Sequence, residues 1–63
     1  MFKGTAIKEA RLQAGLSKRK AASTLGVARR TWDRWEAGKT IPRPIHLEAL
    51  ASLFGLRTSQ FFD

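Results

Sequence analysis

A chain of 63 residues is enough for one small domain, and at that size so little surface is buried that the core must be compact and helical, or else stapled. Stapling is excluded: there is no cysteine for a disulfide or a thiolate metal site, and the one histidine, His46, cannot hold a metal alone. The formal charge is +7, and the stretch from Lys18 to Arg43 carries eight basic residues against two acids, so nearly all the excess lies mid-chain. A basic surface this focused draws polyanions, nucleic acid by counterion release or anionic lipid by simple attraction. The plain alternative is a solubilising charge with no partner.

The N-terminal stretch Met1 to Ala14 contains Lys3, Lys8, Glu9 and Arg11 and no apolar run long enough for a signal peptide or a membrane span. The expectation is a single soluble domain over residues 1–63, cytoplasmic and without a membrane partner. Glycines and prolines divide it into five segments of helical periodicity. A first helix is predicted over about Thr5 to Ala14, where Ile7, Ala10, Arg11 and Ala14 fall at the three-four spacing of one face. Gly15 stops it, and Leu16 can fold back on the apolar side. Ser17 has the hydroxyl an N-cap needs and opens a second helix from Lys18 to about Leu25, with Ala21, Ala22 and Leu25 as its buried stripe.

The turn Leu25-Gly26-Val27-Ala28 is too short for anything but a sharp change of direction, with Gly26 able to take positive φ. A third helix is predicted from Arg29 to about Ala37, ended by Gly38. Lys39 to Pro44, with two prolines, reads as an extended loop. In the fourth helix Leu47, Leu50, Ala51 and Phe54 stand at i, i+3, i+4 and i+7, with Gly55 as the stop. A last turn from about Thr58 to Phe62 returns Phe61 or Phe62 to the core.

On a wheel of about 100° per residue the third helix separates into two faces. Trp32 and Trp35, flanked by Thr31 and Glu36, form one; Arg29, Arg30, Asp33, Arg34 and Ala37 form the other. Two adjacent exposed tryptophans would be a solubility liability, so the aromatic side must be buried and the arginine side must face outward. A rigidly held helix presenting three guanidinium forks suits the major groove of duplex DNA, where arginine can bond guanine O6 and N7 together.

In order and spacing, several features resemble the Cro and repressor type (XRE-like) of helix-turn-helix protein found in bacteriophages and bacterial regulators. They are Ala22 in the second helix, Gly26 in the turn, Trp32 and Trp35 at the packing positions, the run Trp35-Glu36-Ala37-Gly38-Lys39, and the segment Leu47 to Gly55. The resemblance covers nearly the whole chain. It implies an all-α, compact five-helix helix-turn-helix domain of the phage repressor type. The implied function is that of a sequence-specific transcriptional regulator, a repressor, that needs no cofactor and acts on duplex DNA. It further implies an inverted-repeat operator bound by a homodimer.

By the same resemblance Arg29, Arg30, Asp33 and Arg34 contact base edges, while Ser17 and Lys18, with Lys39 and Arg43, grip phosphates and give affinity without sequence information. Arg29 also stands at i to i+4 from Asp33, which permits a simple intrahelical ion pair. Lys20 and Arg57 read as solvated charges. Arg11 and Glu36 each interrupt an apolar helix face, and in the family such a pair bridges the first helix to the third.

The departures from the family pattern are informative. Two tryptophans replace smaller aliphatics, whereas Ala10 and Ala21 stand where larger residues are usual, as volume conservation within one core requires. Ala28 occupies the N-cap of the third helix, where a serine or threonine is usual and alanine forgoes about 1 kcal/mol. Thr58 and Gln60 stand where some relatives place apolar dimer contacts, so the dimer is expected to form on DNA. Shared fold does not fix function, and an antitoxin or protein-interaction module is the alternative. A membrane-surface protein would need one helix with basic and apolar faces free to meet lipid. Catalysis has the least support, because Glu9, Glu48 and Asp63 lie on separate segments and no phosphate loop or nucleophile elbow appears.

Overall fold

The computed structural model describes residues 1–63, with four α-helices and a closing 3-10 turn. α1 spans Gly4–Gln13, α2 Lys18–Leu25, α3 Arg29–Glu36 and α4 Pro44–Phe54, and the 3-10 turn is Thr58–Phe61. Ser17 caps α2, its hydroxyl oxygen accepting from the Lys20 amide at 3.0 Å. Gly26, at φ 74°, ends α2 and reverses the chain, a conformation that costs glycine nothing and other residues about 1 kcal/mol or more. Pro44 is the first residue of α4 rather than the last of the loop, because its fixed φ suits a helix start and its missing N–H is not needed there.

Every helix contributes to one core: Ile7 from α1, Ala21 and Ala22 from α2, Trp32 and Trp35 from α3, Leu50 and Ala51 from α4, and Phe61 from the last turn. Trp32, Phe61, Ile7 and Leu50 are its largest fully buried side chains. Each indole removes about 150–250 Å² from water, at most about 4–6 kcal/mol of transfer free energy, and the two alanines of α2 leave room for that bulk. Phe61, rather than Phe62, fills the core. Phe62 stands half-buried with its ring edge-on to Phe2, centroids 5.8 Å apart.

Three features differ from the sequence reading or were absent from it. α1 begins at Gly4, one residue early, and its start lies against the end of α3. A β-carbon built on Gly4 would stand 2.6 Å from the Glu36 carbonyl oxygen and 2.8 Å from the Gly38 nitrogen. Ala14 lies beyond the helix end as its C-cap and is exposed, so it does not extend the buried stripe of Ile7 and Arg11. The two ends of the chain also pair: Phe2 and Phe62 form an isolated antiparallel bridge, the Lys3 amide donates to the Phe61 carbonyl at 2.7 Å, and the Asp63 amide donates to the Met1 carbonyl at 2.7 Å. No helix is long and apolar enough to cross a membrane.

Candidate nucleic-acid interface

The two tryptophans fix α3 in rotation as well as in position. Trp32 is wholly buried and Trp35 nearly so; their ring centroids lie 5.7 Å apart, and Phe54 meets Trp32 edge-on at 6.4 Å. His46, at the start of α4, leans on Trp35 with centroids 5.3 Å apart and is half-buried. Beneath α3 lies a polar cluster. The Glu36 side chain is 5% exposed and that of Arg11 9%. Arg11 Nε donates to Glu36 Oε2 at 2.6 Å, Trp32 Nε1 donates to the same oxygen at 2.5 Å, and an Arg11 terminal nitrogen donates to the Leu16 carbonyl at 2.9 Å. Desolvated charges are tolerable only with this degree of mutual satisfaction, and the result ties α1, the α1–α2 connection and α3 together.

With that side buried, the opposite side of α3 presents Arg29, Arg30 and Arg34, all exposed, and Asp33, partly covered. Arg30 and Arg34 stand one turn apart and form no ion pair within the chain, which leaves both guanidinium groups free for a ligand. Asp33 is engaged from two directions: Lys18 Nζ of α2 lies 3.4 Å from Oδ1, and Arg29 Nε lies 3.9 Å from Oδ2.

The flanking cations are carried by structured backbone. Lys39 is exposed, and its amide donates to the Arg34 carbonyl at 2.9 Å, which pins the residue to the end of α3. Arg43 is exposed at the N-cap of α4, next to Pro42, whose burial anchors the loop. Ser17 uses its acceptor within the α2 cap and keeps a hydroxyl hydrogen to donate. Lys20 and Arg57 are exposed, and the Gln60 side chain accepts from the Arg57 amide at 2.8 Å to cap the last turn.

Sequence reasoning missed three participants. The Trp32 indole as a donor to Glu36 was legible in the i to i+4 spacing, because a buried indole N–H usually finds an acceptor and Glu36 stands one turn away on the same helix. The Lys18 to Asp33 contact joins two helices and had no local signal. The close approach at Gly4 left only a helix-initial glycine that no turn explained.

This arrangement is a rigid helix with an arginine-rich outer face, set after a short turn behind a capped helix and flanked by exposed cations. It can present guanidinium donors to base edges and ammonium groups to phosphates. No curated protein matches the chain. A family model described as helix-turn-helix matches residues 7–61, spanning all of α2, α3 and α4 and most of α1 and the last turn. The chain therefore belongs to the Cro/C1-type helix-turn-helix family of DNA-binding transcription regulators.

Proposed function

We propose that this protein is a cytoplasmic repressor that lays α3 in the major groove and reads an inverted-repeat operator as a homodimer assembled on DNA. The observation that carries the reading is the outward pair Arg30 and Arg34, unpaired within the chain, on a helix whose other face is locked by Trp32 and Trp35. Arg29, Arg30, Asp33 and Arg34 address base edges. Ser17, Lys18, Lys39 and Arg43 address phosphates on either side and fix the register without sequence information. The protein acts by binding, with no catalytic step. One helix of this length spans only a few base pairs, so a usable address requires two copies with half-sites about one helical turn, roughly 34 Å, apart.

Binding selection from randomised duplex DNA tests the reading. The expected product is an inverted repeat with guanine in each half-site, and Arg34→Ala should cost about 1–3 kcal/mol on that site while relaxing preference at one base pair per half-site. Selection that returns no repeat, or an Arg34→Ala protein with the parent's base preferences, would leave a nonspecific basic binder.

A further inference from the structure

We propose that Asp33 is a specificity switch: it restrains Lys18 and Arg29 off the cognate site and, on it, accepts a hydrogen bond from the exocyclic amino group of a cytosine. The proposal rests on the reading of α3 given above and adds a residue whose contribution is mainly refusal. The chain has five acids. Glu36 is buried with Arg11, and Glu9, Glu48 and Asp63 lie on other segments, so Asp33 is the acid of the arginine face. Its Oδ1 is shut from solvent, points at Lys18 Nζ from 3.4 Å and has no hydrogen bond, while Oδ2 stands beside Arg29 at 3.9 Å. The side chains of this trio are 40–60% exposed, and ion pairs in that setting add little to stability. The consequence of the carboxylate lies in binding instead. Lys18, which addresses a phosphate, and Arg29, which addresses a base edge, are partly neutralised, and a negative charge faces the incoming polyanion.

Base chemistry says which contact relieves this. A carboxylate can only accept. In the major groove guanine offers acceptors alone, thymine an acceptor and a methyl group, and adenine a donor beside the N7 acceptor; cytosine offers an amino donor without that neighbour. Cytosine is therefore the base that satisfies Asp33 as it turns from its cations, and Lys18 is then released to the backbone and Arg29 to the groove. Elsewhere the carboxylate faces acceptors and phosphates, and binding stays weak.

The test compares the parent, Asp33→Asn, Asp33→Ala and Glu48→Gln in selection from random duplexes and in salt titrations on a non-cognate duplex. Asp33→Asn should bind the non-cognate duplex about tenfold tighter near 0.1 M salt, with a slope steeper by about one for each cation released to a phosphate. Discrimination for cytosine at one position per half-site should fall at least about fivefold, and preference there should move to adenine, which an amide can contact bidentately. Asp33→Ala should lose the cytosine preference without gaining adenine. Adding Lys18→Gln to Asp33→Asn should return most of the nonspecific gain. If Asp33→Asn and Asp33→Ala keep the parent's motif, or if Glu48→Gln gives the same nonspecific gain, the switch is wrong even though α3 reads DNA. A parent that selects no motif at all would instead overturn the underlying reading of α3.

Discussion

Trp32 and Glu36 are joined by a hydrogen bond one turn apart on α3, and the carboxylate oxygen that receives the indole also receives Arg11 of α1. A single buried oxygen thus holds α3 by its largest core side chain and by the first helix at once. Glu36→Ala leaves both donors without an acceptor and Arg11 as an uncompensated buried charge, at a cost of about 3–5 kcal/mol. A 63-residue chain at about 0.05–0.15 kcal/mol per residue has roughly 3–9 kcal/mol of stability in all. Thermal unfolding by circular dichroism should show the midpoint collapsing; an unchanged midpoint would mean that the two charges act independently.

Gly4→Ala should also destabilise the fold, by less, although alanine is otherwise the better helix former. The added methyl meets backbone atoms of Glu36 and Gly38, which cannot rotate away, so α1 must shift from the end of α3. Overpacking of this kind costs about 1–3 kcal/mol, against a gain of under about 1 kcal/mol in helix propensity. A urea titration of the variant should give a lower midpoint, and a higher one would show the two helices able to move apart freely.

Ala28→Ser should stabilise the protein. Ala28 is the N-cap of α3 in extended geometry, φ −68° and ψ 148°, with no side-chain acceptor for the first amides of the helix. Supplying a hydroxyl there adds about 0.5–2 kcal/mol, seen as a rise in the thermal midpoint. No rise would mean that these amides already have partners in solution.

Lys39→Ala and Arg43→Ala should each weaken binding to all duplexes alike and reduce the magnitude of the salt slope by about one unit, leaving base preference intact. Both side chains are exposed on backbone fixed to α3 or α4. A change in the preferred base in either variant would assign that residue to the groove.

The helices were legible because most boundaries carry a local signal: the Ser17 cap, the glycine stops and the three-four spacing of apolar residues. Contacts between segments were legible only where a residue type was anomalous for its place, as with a charge on an apolar face at Arg11 and Glu36. Gly4 against α3, His46 on Trp35 and Lys18 beside Asp33 join residues far apart in the chain, and none of them is odd in its own segment. On the outer face of α3, composition and helical period identified the exposed arginines, whereas the cross-helix partner of Asp33 depends on how α2 and α3 are set together.

The bridge between Phe2 and Phe62 also has a bearing on how the protein folds. The segments before α1 and after α4 complete each other: Phe2 meets Phe62 edge-on, and the Lys3 amide donates to the Phe61 carbonyl. As the chain folds, the helices can begin to associate through contacts near in sequence, yet the segment before α1 has no partner until the aromatic residues after α4 reach it. Phe61, which fills the centre of the core, arrives with them. Closing the core therefore depends on contacts between segments far apart in sequence, and α3 gains its full rigidity only when that segment docks.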